Sequence, residues 1–196
     1  MKLEKGLSGN SLLLCLLAVL VLQGCAPAAV RVSAPVTVDD IGPAQTWGGI
    51  DNVVAVKHLY ISAQPDTAAL LDARAHDVGV VISLREPSET EWDEAQEAGS
   101  LGMAYYNVPV PASGPELDQS AMEDISALVR EHRDQKILLH CSSGNRAAAW
   151  FAVHLVVDHG MDIEPSIALA RKAGLTKPGM EARVRNYLGA GGELPE

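Results

Sequence analysis

Three scarcities bound this sequence before any motif is considered. Basic residues are outnumbered, 15 against 25 acidic, and form no tract, so the net charge is −10. That excludes nucleic acid as a partner, because phosphate-backbone binding needs clustered Lys and Arg. An anionic ligand must instead be drawn in by local charges and backbone dipoles. Long apolar runs are also missing: Leu12 to Leu22 is continuous, but it falls short of the roughly 20 residues of a spanning helix. Cysteine is limited to Cys15, Cys25 and Cys141. No internal repeat is apparent.

The apolar run follows Lys2 and Lys5 and has the length of the h-region of a secretion signal. It ends in Leu22-Gln23-Gly24-Cys25, which resembles a bacterial lipobox. The resemblance implies that residues 1–24 are a signal peptide, and that the mature chain begins at a lipidated Cys25. Ala26 stands where an aspartate is associated with inner-membrane retention, so the expected place is the periplasmic side of the outer membrane. The membrane is then touched through the lipid alone. Cys141 would be the one free thiol in a compartment that favours disulfides, with no partner to pair with.

Residues 25–45 are rich in Ala, Pro, Val and Thr without periodicity and are expected to be a flexible tether. A single domain is expected over 46–190, with 191–196 as a tail. Within it, strand signals at 52–57, 59–62, 80–84, 103–110 and 136–140 alternate with helical signals at 66–77, 89–99, 118–133 and 146–157. Two more helical segments, 163–171 and 178–188, close the domain. This order predicts an α/β fold, a three-layer sandwich around a central, mostly parallel sheet.

The last predicted strand ends at His140-Cys141, and Ser142-Ser143-Gly144-Asn145-Arg146 leads into a long apolar helix. Such a strand, tight loop and helix can turn several backbone N–H groups inward, and the helix start adds positive potential. Both favour thiolate over thiol and make Cys141 the candidate nucleophile. Gly144 supplies backbone freedom or close approach. Arg146 offers a planar fork for two oxygens of a phosphoryl, arsenate or sulfuryl group.

From Trp47 to Leu188 the chain resembles the cysteine-dependent protein tyrosine phosphatase superfamily, in particular its dual-specificity-like bacterial branch, the beta-lactamase-hydrolase-like phosphatases. The resemblance rests on Leu59-Tyr60-Ile61-Ser62-Ala63-Gln64-Pro65, Val80-Val81-Ile82-Ser83-Leu84-Arg85, Tyr105-Tyr106-Asn107-Val108-Pro109-Val110 and His140 to Arg146. It implies a phosphatase that hydrolyses phosphomonoesters, of phosphotyrosine or phosphoserine/threonine proteins or small phosphoesters, through a phosphocysteine on Cys141. Arg146 would bind the equatorial oxygens, Ser142, Ser143, Gly144 and Asn145 would form the substrate-binding loop, and His140 would support it. No cofactor or metal is implied; oligomeric state is left open.

The chain departs from that family in three places. Four residues separate Cys141 from Arg146 instead of five, a spacing shared by the bacterial branch and by rhodaneses. Ala147 follows the arginine where a Ser or Thr commonly helps expel the thiolate. No aspartate follows Val108-Pro109-Val110 to act as general acid; Pro111-Ala112-Ser113 stands there. Candidate acids are Glu89 and Asp118, then Glu86 and Glu116, with Asp118 equally placed to cap a helix.

Two other functions remain open at this stage. A rhodanese-like sulfurtransferase is suggested by the loop spacing and Leu84-Arg85-Glu86-Pro87, and opposed by the two helical segments after the loop. A non-catalytic phospho-ligand-binding module is suggested by Ala147 and the missing aspartate. His154 and Asp158 lie one helical turn apart, but no third residue completes a metal-ligand spacing. Asn145 is expected to shape the loop, and Trp150 and Phe151 to be core.

Overall fold

A computed structural model describes residues 35–190. The expected signal peptide, the expected lipidation site Cys25 and the expected tail over 191–196 lie outside the described residues. Six strands form one sheet: β1 (Ile41–Trp47), β2 (Ile50–Val56), β3 (Leu59–Ser62), β4 (Val78–Ser83), β5 (Ala104–Asn107) and β6 (Lys136–His140). Their order is β1-β2-β3-β6-β4-β5. The first three strands are antiparallel neighbours, whereas β3, β6, β4 and β5 run parallel. Parallel neighbours require helical crossovers, which are supplied by α1 (Thr67–Ala75), α2 (Glu94–Ser100) and α3 (Gln119–Glu131). After β6 come α4 (Asn145–Val157), α5 (Ile163–Lys172) and α6 (Pro178–Ala190).

Alternation along the strands builds two cores. Val53, Tyr60, Val81 and Leu138 face α1 and α2, and pack with Trp47, Leu70 and Ala98. Their chain neighbours Val54, Ile61, Ile82 and Leu139 face the other way, into a larger cluster with Ile125, Trp150, Phe151 and Val184. Period-two burial on both faces is what a sheet covered on both sides requires. α4 carries the larger core: ten of its thirteen residues are buried, so it is a central helix rather than a surface one. Each fully buried large side chain contributes about 1.5–3 kcal/mol. The sequence-predicted α/β sandwich is therefore the fold.

Three boundaries differ from expectation. The sheet starts at Ile41, inside the stretch expected to be a tether, and Val36 already belongs to the larger core. β1 is an irregular edge with two register shifts, one across Pro43 and one between Gln45 and Trp47, which hid its pattern. The helix expected over 89–99 divides into a 3-10 turn, Pro87–Glu89, and the shorter α2, capped by the Asp93 carboxylate accepting from Gln96 N. The strand expected over 103–110 is regular only to Asn107. Val108 and Val110 still donate to Ser83 and Leu84 carbonyls, while Pro109 and Pro111 have no N–H to extend the ladder.

A histidine cluster closes the larger core near the end of α4. His154 Nδ1 meets Asp158 Oδ2 at 2.6 Å, His159 Nε2 meets His154 Nε2 at 3.2 Å, and Trp150 stacks on His154 at 4.8 Å. Among the described residues no group of side chains is arranged to hold a metal ion. Burial first, and then the neighbouring His154, hold both His58 and His159 below the usual histidine range. The unfolded chain then binds protons that these rings refuse, so stability falls as pH drops through the ordinary histidine value of 6.5. The melting temperature should therefore fall between about pH 7.5 and about pH 5.5, above the carboxylate range, and His159→Asn should flatten that slope. An unchanged slope would remove His159 from the account.

Candidate active site

Cys141 follows β6 directly and is 1% exposed. Its N–H donates to the Ser62 carbonyl at 3.4 Å, so the loop leaves the sheet still attached to β3. Ser143 forms a bridge with Ala63. Asn52 of β2 clamps both segments: its Nδ2 donates to the Ser143 carbonyl at 3.4 Å and its Oδ1 accepts from Ala63 N at 3.3 Å. Gly144 then turns the chain into α4 with φ +83°, and a Cβ there would lie 3.3 Å from Asn52 Nδ2. Both the left-handed angle and the close approach account for a glycine.

Arg146 occupies the second position of α4 and is 2% exposed. NH1 donates to Glu89 Oε2 at 2.7 Å, to the Val110 carbonyl at 2.7 Å and to the Leu84 carbonyl at 3.1 Å. NH2 donates to Glu89 Oε1 at 2.8 Å and Ser142 Oγ at 3.3 Å. Glu89 thus grips the guanidinium by both oxygens, a geometry in which orientation is fixed as well as charge. Burial pulls the Arg146 pKa down, but the bond to Glu89 and the nearby Cys141 outweigh it and leave it raised. None of these bonds uses Nε–H.

The expected acids take other duties. The bond from Arg146 holds the Glu89 carboxyl below the usual glutamate range, so it is ionised at neutral pH and is a clamp, not a proton donor. Glu86 N also donates to Glu89 Oε2 at 2.8 Å. Asp118 caps α3, accepting from Ala121 N at 2.9 Å and from the Ser120 hydroxyl, and these bonds lower its pKa. Glu116 is exposed; its backbone carbonyl accepts from Arg183. Asn145 is 4% exposed and faces a different task from the one expected. Its Oδ1 accepts from Thr176 N and Lys177 N, and its Nδ2 donates to Thr176 Oγ1, so it ties α4 to the α5–α6 connection. Ala147 is fully buried in the larger core.

Two contributors, Asn52 and Arg183, lie outside the residues that the sequence singles out, and Arg85 joins them. Asn52 sits within a strand pattern, and nothing local marks it as a loop clamp. Arg85 donates to the Glu89 carbonyl and, at 2.7 Å, to Gln64 Oε1, bracing the same turn. Arg183 of α6 donates to the Pro111 and Glu116 carbonyls, pinning the loop after Val110. The invariable signal in these cases is a polar side chain inside an otherwise apolar or helical pattern, which is visible only as an anomaly.

Removing Glu89 leaves a buried guanidinium without its counter-charge, and losing one partner of a buried pair costs about 3 kcal/mol or more. Glu89→Ala should lower unfolding free energy by about that amount in urea titration. Because the Glu89 pKa is lowered, this stabilisation is present above the unfolded glutamate pKa and is lost as pH falls through the folded one. A loss under about 0.5 kcal/mol, typical of surface sites, would show that the pair does not hold the site.

No family model matches the chain. Beta-lactamase hydrolase-like proteins of Xylella fastidiosa strains Temecula1 and 9a5c are 31% identical over 124 residues, covering 60% of this chain. The chain spans only 28% of the length of those relatives. Among solved structures, Pseudomonas aeruginosa TpbA matches with a TM-score of 0.60 and 21% identity, over 73% of this chain and 89% of TpbA. Tk-PTP in its active form matches at 0.57 and 21% identity, over 68% and 92%. PTPMT1 in complex with PI(5)P matches at 0.58 and 16% identity, over 68% and 92%. With Cys141 directly after a central strand and Arg146 at the start of the central helix, this chain has the fold of the cysteine-dependent tyrosine phosphatase superfamily.

Proposed function

We propose that this protein is a phosphomonoester hydrolase that works through a phosphocysteine on Cys141. The observation that carries the reading is the placement of Cys141, Gly144 and the Glu89-gripped Arg146 around one loop at the start of α4. A phosphoryl group over that loop would meet loop N–H groups, the start of α4 and the positive charge of Arg146. Sγ attacks phosphorus as the ester P–O bond breaks, and the leaving oxygen takes a proton from water. Water then attacks the phosphocysteine, the S–P bond breaks, and phosphate and thiolate are released.

The four carboxylates considered as general acids include two that are tied up as clamp and cap. With Glu89 and Asp118 engaged elsewhere and if neither Glu86 nor Glu116 donates, rate should depend steeply on the leaving group, since such an acid is worth about 10²–10⁴. Aryl phosphates should turn over faster than alkyl phosphates by about that factor. Cys141→Ser should abolish phosphate release and Arg146→Lys should reduce it by about 10²-fold or more. Sulfur transfer from thiosulfate to cyanide without phosphate release would establish the sulfurtransferase instead. Anion binding with neither activity would establish a binding module.

We further propose that the protein sits in the envelope, as a lipoprotein with its anchor on Cys25 and its domain facing the periplasm. Support comes from Leu22-Gln23-Gly24-Cys25 after the apolar run. Among the described residues no helix is long and apolar enough to cross a membrane. Labelled palmitate should be incorporated by the full chain and not by Cys25→Ser; labelling that survives the substitution removes the anchor.

A further inference from the structure

Arg146 reaches the loop with its charge already offset. Both oxygens of Glu89 are engaged on it, so the pair is close to neutral, and an ionised Cys141 makes the loop negative. A chain of net charge −10 adds no attraction of its own for an anion. The rest of the positive charge that a phosphoryl dianion needs must stand close to the loop and away from any carboxylate.

Two guanidiniums meet that description. Arg183 of α6 is 5% exposed, yet all its partners are neutral. Nε and NH2 donate to the Glu116 main-chain carbonyl, and NH1 to the Pro111 carbonyl and the Met180 sulfur. Those dipoles make the buried charge tenable without cancelling it. Arg85, just beyond β4, donates from NH1 to Gln64 Oε1 and from NH2 to the Glu89 main-chain carbonyl. Its buried Nε–H meets no acceptor among the described residues. Each stands one link from Arg146. Arg85 holds the main chain of the glutamate that grips Arg146, and Arg183 holds the carbonyl next in the chain to that of Val110, which Arg146 holds. Burial first, and then the nearby Arg146, lower the Arg183 pKa.

The other arginines are treated differently. Arg130 pairs with Asp158, Arg171 with Glu181, and Arg185 with Glu164 and Glu181, while Arg74 and Arg133 are exposed. Glu86 and Glu116 lie on the same segments as the two site arginines, but among the described residues no carboxylate is in ion-pair contact with either guanidinium. Glu94 Oε1, the buried carboxylate near β6, lies 3.0 Å from His140 Nε2, on the sheet face opposite Cys141. A charge shielded from solvent and held by neutral partners is screened less than a surface one, so its field extends over the loop.

We propose that Arg85 and Arg183 supply most of the net positive charge that binds an anion over the loop, acting through their field and not by contact. This deepens the phosphatase reading, because the charge of the phosphoryl dianion becomes what the two residues recognise; it rests on the loop being an anion site, not on turnover. The test is binding of inorganic phosphate to the full chain, followed by phosphorus NMR at about pH 8, where phosphate is mostly dianionic. It is run at about 0.02 M and about 0.3 M salt, between which the screening length shortens severalfold. At the lower salt Arg183→Gln and Arg85→Gln should each weaken binding by about threefold to tenfold, the effect of one unit charge at about 10 Å near a protein surface. At the higher salt that loss should shrink. Arg183→Lys and Arg85→Lys keep the charge but not the planar fork, and should retain most of the affinity; this separates the charge from the pinning of the Pro111, Glu116 and Glu89 carbonyls. Binding unchanged in either folded glutamine variant overturns the proposal, as do lysine variants as weak as the glutamine ones, or a loss that salt does not diminish. If one glutamine variant does not fold, the other carries the test. The predicted binding pattern without phosphate release would remove the phosphatase and leave this inference standing, whereas phosphate release with binding unchanged in the variants would do the reverse.

Discussion

The contact on which the rest of the site depends is the two-oxygen grip of Glu89 on Arg146. A guanidinium at 2% exposure is tolerable only if its charge and its donors are met. Here a carboxylate meets the charge, and the Leu84 and Val110 carbonyls meet further donors. Those carbonyls belong to the chain just beyond β4 and β5, so the arginine joins three segments that leave the sheet at its carboxyl edge. That edge is where α/β sheets place their ligands. Holding the guanidinium also holds the start of α4, and with it the loop that carries Cys141.

A second constraint comes from the opposite side of the loop. Asn52 reaches from β2 to both Ala63 and Ser143, and its amide lies where a side chain on residue 144 would intrude. Gly144 is thus required by an antiparallel strand that is remote in sequence. Asn145 continues the same logic outward, tying the helix start to the segment before α6. The loop after Cys141 is consequently braced from β2, from β3, from the 3-10 turn and, through its own Asn145, from the α5–α6 connection. Such external bracing is how a short loop keeps its backbone in one geometry before a ligand arrives.

The α/β architecture, the nucleophile and the arginine were legible because each has a local signal. Buried parallel strands are runs of Val, Ile and Leu such as Val80 to Leu84, and α4 announces itself by an apolar stretch without a polar face. The start of the sheet was not legible, since β1 is a bulged edge containing Pro43. Glu89 illustrates a deeper limit. Its residue type and its place after a strand fit a general acid as well as an arginine clamp, and only the distance to Arg146 decides between them. Asp118 went the other way, because its helix-capping role is written in the three residues that follow it. Glu94 carried no signal at all: a glutamate in a polar-looking helix gives no hint that it is buried against a histidine from the central strand.

The central claim, that Cys141 takes the phosphoryl group, is tested most directly by stopping the reaction with an aryl phosphate in acid within its first turnover. The Cys141 peptide is then examined by mass spectrometry. A phosphoryl adduct on Cys141 that forms before free phosphate and is absent from Cys141→Ser is the predicted result. Phosphate released from the intact protein with no adduct on Cys141, or release that survives in Cys141→Ser, would contradict the account.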